Sequence, residues 1–252
     1  MTILDKIILH KRKTVEIDSL NTPLEMLKQA KYFHRDTFSL KSALLKNGSS
    51  GIIAEFKRKS PSKGIINDTA EVANTTMAYV KAGASALSVL TDNEFFGGSN
   101  DDLKLARKCN AIPILRKDFI VDEYQIYEAK YIGADAILLI AAVLSSDEIE
   151  RFTMLAHELG MEVLLEIHHE DELMKICPAV NVIGINNRNL KTFEVSLENS
   201  IELSKNLPEE MLKISESGIK SVDDIFYLRK AGFQGFLMGE NFMKQENPGL
   251  SC

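Results

Sequence analysis

Four stretches of the chain share one pattern: KAGASALSVL (81–90), YIGADAILLI (131–140), ELGMEVLLEI (158–167) and KAGFQGFLMG (230–239). Each reads as a helix end, a glycine, two variable residues and an apolar run. Gly83, Gly133, Gly160 and Gly232 stand where a helix C-terminus needs a left-handed residue, a conformation glycine adopts without a Cβ penalty. The apolar runs are short and nearly continuous, as expected of parallel strands buried on both faces. The repeat therefore predicts a βα unit as the building block.

Helical candidates lie between such runs, with apolar residues three and four apart: DTAEVANTTMAYVKAG (68–83), SSDEIERFTMLAHELG (145–160) and SVDDIFYLRKAG (221–232). The last two begin with a serine that can cap the helix and carry acids in the first turn, where they complement the helix dipole. With the weaker runs included, eight strands are predicted, at 52–56, 85–90, 112–116, 135–141, 162–167, 181–186, 212–216 and 234–239. Their spacing leaves room for one crossover helix each. Eight βα units could close into a barrel or form an open doubly wound sheet. The count of eight, and the lack of a GxGxxG motif after the first strand, favour the barrel.

The expected fold is thus α/β, a single (β/α)8 TIM barrel domain spanning 1–252. Residues 1–50 stand outside the repeat. ILDKIILHKRKTVE (3–16), PLEMLKQAKYF (23–33) and SLKSALL (39–45) predict a helical N-terminal extension packed over one end of the barrel, joined through GSSG at 48–51. Little chain follows the last strand, so its closing helix is expected to be very short.

Composition narrows the function. A hydrophobic content of 45% and a charged fraction of 26% are ordinary globular values, which excludes disordered and fibrous classes. A net charge of −6 argues against a nucleic-acid or membrane-surface binder, which would be basic. No apolar run approaches the roughly 20 residues of a membrane helix. The N-terminal MTILDKIILHKRK has its cations after its apolar residues, the reverse of a signal peptide. Cys109, Cys177 and Cys252 are few and far apart, as in a chain with reduced thiols. A cytoplasmic protein acting on a small molecule is the expectation.

In such barrels the chemistry collects at the C-terminal ends of the strands. There the chain carries Glu55 and Lys57 (first strand), Lys117 (third), Glu166 (fifth), Asn186 and Arg188 (sixth), Glu216, Ser217 and Gly218 (seventh), and Gly239 and Glu240 (eighth). Strand residues two apart share a face, so Glu55 and Lys57 follow Ile53 inward, Lys117 follows Leu115 and Glu166 follows Leu164. Single charges of this kind are commonly solvated loop residues. Five of them on the inward face of one mouth predict a proton-transfer site, because crowded, partly dry acids and ammoniums shift each other's pKa. Arg58, on the opposite face from Lys57, is expected to support the surroundings. The glycines after strands seven and eight allow backbone N–H groups to approach a phosphate, with Arg188 and Lys57 supplying charge. His168 and His169, in HHEDE, are expected to start a helix facing solvent, and His157 to pack within its own helix.

The segments carrying these residues resemble those of the indole-3-glycerol phosphate synthase family. They are ILDKI (3–7), AEFKRKSPSKG (54–64), SVLTDNEFFGGS (88–99), PILRKDFIVDEYQI (113–126), LLEIHHEDEL (164–173), IGINNRNLKTFEV (183–195), ISESGI (214–219) and FLMGENFM (236–243). The resemblance implies a (β/α)8 barrel whose N-terminal extension helps cover the substrate. It also implies ring closure of 1-(2-carboxyphenylamino)-1-deoxyribulose 5-phosphate with loss of carbon dioxide and water, in tryptophan biosynthesis, without metal or organic cofactor. Lys117 then resembles the general acid, Glu166 the general base of the dehydration and Lys57 the residue binding the substrate carboxylate, with a share in proton donation. Glu55, Asn186 and Glu216 would hold these groups and the substrate hydroxyls. Phe96 and Phe119 would wall the anthranilate ring, and Arg188, Ser217, Gly218, Gly239 and Glu240 would meet the phosphate. Glu240 is expected to offer its backbone N–H and turn its carboxylate away. Association with other enzymes of the pathway is a further expectation. Two other readings fit the same residues: a Schiff-base aldolase using Lys117 as nucleophile, and a phosphosugar-binding barrel without catalysis.

Overall fold

The computed structural model describes residues 1–189 and 192–252; Leu190 and Lys191, within the IGINNRNLKTFEV segment, lie outside the described residues. Among the described residues eight parallel strands close into a barrel: β1 (Ile52–Phe56), β2 (Ala86–Leu90), β3 (Ile114–Lys117), β4 (Ala136–Ile140), β5 (Glu162–Ile167), β6 (Val182–Asn186), β7 (Lys213–Glu216) and β8 (Gly235–Met238). They neighbour one another in chain order, and β8 returns to pair with β1. The chain is a (β/α)8 TIM barrel.

β3 begins two residues later than its apolar run predicts. Pro113 has no N–H to enter the ladder, although its carbonyl accepts from Leu87 N at 2.9 Å. The shift carries the pairing on to Lys117, which stands opposite Leu90. Lys117 is therefore held by the sheet itself rather than by a loop. The four repeat glycines all have positive φ, between 73° and 105°. Ser145 and Ser221 cap their helices with reciprocal bonds to Glu148 and Asp224. Between β5 and β6 the crossover holds only a 3-10 helix, Glu170–Lys175.

Strand alternation sorts the core in two. Ala54, Phe56, Leu87, Val89, Val163, Leu165 and Phe236 point outward under the helices, whereas Ile53, Ala86, Leu115, Leu138, Leu164 and Ile214 fill the barrel interior. Leu40 and Leu44, from the helix Leu40–Leu45, join the interior cluster. That helix is fastened to the N-terminal edge of β5, where Ser39 Oγ donates to Glu162 Oε1 at 2.6 Å.

The extension was expected over one end of the barrel, and its segments reach both. The helix Leu40–Leu45 plugs the bottom, where the interior apolar side chains would otherwise meet water. The long N-terminal helix Ile3–Asn21 lies over the mouth, with Ile3, Leu4 and Ile7 lining the cavity there. After β8 come two short helices, Glu240–Met243 and Pro248–Ser251. Gly249 lets the second approach the helix Val72–Ala82 closely, since a Cβ at Gly249 would overlap Ala78 Cβ. Among the described residues no helix is long and apolar enough to cross a membrane.

Candidate active site

The inward phase of each strand continues past its last apolar residue into charge. On β1, Ile53 is followed by Glu55, 3% exposed, and then by Lys57, whose ammonium pairs with the Glu55 carboxylate. On β3, Leu115 is followed by Lys117. Its Nζ donates to Glu166 Oε2 of β5 at 2.8 Å and to Glu216 Oε2 of β7 at 3.1 Å. The second Glu166 oxygen, Oε1, accepts from Asn186 Nδ2 of β6 at 3.2 Å. One ammonium from β3 thus meets two carboxylates from β5 and β7, the strands that flank β6.

The electrostatics follow from this sharing. Burial alone would strip Lys117 of its proton, but Glu166, Glu216 and Glu55 outweigh it and raise its pKa above the ordinary lysine value. Lys117 is accordingly an ammonium at neutral pH. For Glu166, burial works against ionisation, yet Lys117 and His168 hold its carboxyl well below the usual range. Glu216 has only a share of Lys117 and faces Glu166 and Glu55, so burial dominates and its pKa rises to about 7. Its Oε1 is buried and has no hydrogen-bond partner among the described residues. Two glycines make room for these acids: a Cβ on Gly184 of β6 would overlap Glu216 Oε1, and one on Gly239 would press within 2.8 Å of Glu55 Oε1.

Phe96 and Phe119 form an apolar wall of the same cavity, their ring centroids 5.8 Å apart. Arg188, Ser217, Gly218, Gly239 and Glu240 line it further along. Ser217 has φ 67°, a left-handed backbone rare for a residue with a side chain, and Gly218 continues the turn at φ 77°. All thirteen residues singled out from the sequence line this one cavity. Arg58 does not. As alternation requires, it points away and forks onto Asp102 with bonds of 2.6 and 3.0 Å. His157, half-buried on its helix, lies 2.9 Å from Asn181 Oδ1.

Two expectations are corrected. The Glu240 carboxylate does not turn away from Arg188: Oε2 lies 3.4 Å from Arg188 Nη2, while Oε1 pairs with Lys244 Nζ at 2.6 Å. The Arg188 guanidinium attracts this carboxylate, and one turn of helix brings Lys244 to the other oxygen. His168 does not face solvent either. It is 1% exposed with Nε2 3.1 Å from Glu166 Oε1, whereas His169 is the exposed one. The alternation that turns Glu166 inward does the same for His168, two residues on.

Sequence reasoning also missed the groups that seat the N-terminal helix. Lys11, 6% exposed, reaches down to Asp92 at 2.9 Å and Asp118 at 2.7 Å. Asp118 also accepts from the Phe119 N–H at 2.8 Å and lies 3.2 Å from Arg116, which bonds Glu128 at 2.5 Å. A buried lysine within an exposed-looking HKRK run carries no local signal of its partners, which lie about eighty and a hundred residues further along.

The fold and this mouth define the class: a (β/α)8 barrel that gathers buried carboxylates around an ammonium at the C-terminal ends of its strands. Solved structures agree on the fold. An N-acetylmannosamine-6-phosphate 2-epimerase from Clostridium perfringens superposes with a TM-score of 0.60 at 12% identity, covering 82% of this chain and 92% of its own. A tryptophan synthase complex chain from Pyrococcus furiosus does so at 0.58 and 17%, covering 77% and 88%. The sequence profile of indole-3-glycerol phosphate synthase matches residues 4–251. The indole-3-glycerol phosphate synthase of Bacteroides thetaiotaomicron is 50% identical over 98% of this chain and 95% of its own. The enzyme of that name from a Polaromonas species is 44% identical over 99% and 96%. The chain belongs to the indole-3-glycerol phosphate synthase family, carbon–carbon lyases of tryptophan biosynthesis.

Proposed function

We propose that this chain closes the indole ring of 1-(2-carboxyphenylamino)-1-deoxyribulose 5-phosphate, with Lys117 as general acid and Glu166 as general base. The observation that carries the assignment is the Lys117 ammonium held between Glu166 and Glu216 beside the Phe96–Phe119 wall. With the anthranilate ring on that wall, the carboxylate-bearing ring carbon attacks the ketone carbon. Lys117 passes its proton to the ketone oxygen as negative charge develops there. The carboxylate leaves as carbon dioxide, restoring the aromatic ring. Dehydration follows: the hydroxyl takes a proton from Lys57 and leaves as water, and Glu166 takes the proton whose loss completes the indole.

Lys57 binds the substrate carboxylate and shares in proton donation. Glu55 orients Lys57, and Asn186 orients Glu166. Glu216, its pKa raised by burial to about 7, hydrogen-bonds a substrate hydroxyl. Arg188 and the backbone of Ser217, Gly218, Gly239 and Glu240 take the phosphate. An arriving phosphate competes with the Glu240 carboxylate for Arg188, and Lys244 retains the displaced carboxylate. Within a single barrel domain, the N-terminal helix acts as the cover of the mouth and the helix Leu40–Leu45 as the plug of the other end. The charge balance and sparse cysteines support a cytoplasmic location and no role in nucleic-acid or membrane binding; association with other enzymes of the pathway is compatible with this reading.

The pairing of the Lys117 ammonium with Glu166 and Glu216 speaks against a Schiff-base aldolase, whose lysine must be a free amine to attack a carbonyl. Borohydride with substrate is expected to leave Lys117 unmodified; a trapped adduct would reverse the assignment. The deciding experiment is fluorescence detection of indole-3-glycerol phosphate formed by the purified protein. Absence of product would overturn the proposal. Arg188→Ala is expected to raise KM for the phosphorylated substrate more than it lowers kcat, and an unchanged KM would remove Arg188 from the phosphate site.

A further inference from the structure

His168 lies behind Glu166, outside the cavity lining, and the roles proposed above leave it unused. Its ring is 1% exposed and stands between two carboxylates. Nε2 lies 3.1 Å from Glu166 Oε1, and Nδ1 lies 3.8 Å from Glu172 Oε2. Glu172 comes from the 3-10 helix after β5, is itself buried, and accepts the His168 backbone N–H at 2.7 Å. The contacts are ion-pair contacts rather than in-line hydrogen bonds, since neither ring nitrogen has a hydrogen-bond partner of good geometry.

This placement decides the protonation state by elementary electrostatics. A neutral imidazole has one N–H and one lone pair, so one nitrogen would present its lone pair to a carboxylate oxygen in a buried space. Only the doubly protonated ring suits both neighbours. In agreement, although burial alone would lower the His168 pKa, Glu166 and Glu172 raise it to about 9. Glu172 is held below the usual carboxylate range, because His168 outweighs its burial.

The charged groups around the ring are few. Glu166 shares its strand face, with Lys117 of β3 on the far side of that carboxylate. The following helix supplies Glu172 and also Lys175, whose ammonium is bound to the Ala141 and Leu144 carbonyls. His169 lies 6.4 Å away, centroid to centroid. β4 and its loop, Ala136 to Leu144, carry no ionisable side chain, and β6 offers only the amide of Asn186.

We propose that His168 is a positioning residue of the reaction: an imidazolium clamped between Glu172 and Glu166 that keeps the Glu166 carboxylate ionised and fixed while Lys117 gives up its charge. The proposal rests on the reading of Lys117 as acid and Glu166 as base. When Lys117 donates its proton to the substrate oxygen it becomes a neutral amine. Glu166 would then be a buried carboxylate without a cation and would take up a proton before the dehydration step needs it. His168 supplies the charge that remains. It contacts Oε1 and leaves Oε2 directed at Lys117 and the cavity.

Two measurements test the proposal independently. The first is the nitrogen NMR spectrum of wild-type protein labelled at histidine, where His168 is expected to be protonated at both ring nitrogens at pH 7.5. A neutral tautomer would overturn the clamp. The second compares kcat against pH for wild type, His168→Gln and Glu172→Gln. His168→Gln removes a positive neighbour, so Glu166 binds protons more readily. The acidic limb of kcat should then move to higher pH, with kcat lowered about tenfold at its optimum and KM within about twofold. Glu172→Gln should lower the His168 pKa and move the limb the same way by less. An unmoved acidic limb in a folded His168→Gln protein would refute the role. If His168→Gln fails to fold, Glu172→Gln and the wild-type spectrum carry the test. Full activity in Glu166→Gln would instead remove the base assignment, while the spectrum still decides the clamp.

Discussion

Lys117→Ala is expected to lower kcat for indole-3-glycerol phosphate formation by at least about 10²-fold, the lower range for losing a general acid. The reason lies in the surroundings as much as in the lysine. Nζ is held at 2.8 Å from Glu166 and 3.1 Å from Glu216, and no other cation among the described residues bridges these two carboxylates. With the ammonium gone, Glu216 binds a proton more readily, while His168 still faces Glu166 and holds it ionised. The variant therefore loses the acid and leaves the base charged. Removing the ammonium leaves two buried carboxylates without their shared cation, so some loss of stability is expected beside the loss of catalysis. Circular dichroism melting beside the fluorescence assay separates the two. Turnover at the wild-type rate by a folded Lys117→Ala protein would show that another group protonates the ketone oxygen, with Lys57 the next candidate.

The second large effect is structural. Lys11→Met is expected to destabilise the protein by about 3 kcal/mol, read as a shift of the urea midpoint at unchanged slope. The lysine is buried between Asp92 and Asp118, and methionine fills its volume without its charge. Each aspartate keeps other partners: Asp92 caps the Phe95 N–H, and Asp118 accepts from Thr91 and Phe119. The cost is therefore placed at the low end for breaking a buried pair. Exchanging Asp118 for asparagine in the same protein should recover part of the loss, because one stranded charge disappears. The sign of the pH dependence follows from Asp118. Despite its burial, Lys11 and Arg116 depress its pKa, so its contribution is present above about pH 4 and fades as pH falls through the folded-state value. Lys11→Met should be less acid-sensitive than wild type over that range. A midpoint within error of wild type would mean that the ion bridge contributes nothing net.

Loss of Lys11 should also reach the site. The N-terminal helix brings Ile3, Leu4 and Ile7 over the cavity, and Lys11 ties that helix to the strand ends at Asp118, next to Lys117. A loosened cover admits water around the buried acids and weakens the electrostatics that catalysis relies on.

Most of the barrel was legible because its signals are local. β1 and β5 span the stretches the apolar runs mark, and the four repeat glycines have the positive φ their place at helix ends requires. The site was legible for a related reason: alternation is a property of the strand, so Glu55, Lys117 and Glu166 could be turned inward by counting from Ile53, Leu115 and Leu164. The same count, applied two residues beyond Glu166, reaches His168, but an adjacent pair of histidines among acids reads as a solvated turn. What burial does to each member of that pair depends on the 3-10 helix folding Glu172 back over the ring, and nothing local announces that fold.

By itself the sequence determined the repeating βα unit, the inward phase of the charged strand ends and the family, because these rest on short-range periodicity and contiguous motifs. Only the tertiary structure decided how the charges are shared. Lys117 chooses two carboxylates, Glu240 occupies Arg188, Lys11 seats the N-terminal helix and His168 stands behind Glu166. Coulomb interactions depend on distance and on exclusion of water, and both are set when strands far apart in the chain are brought around one mouth.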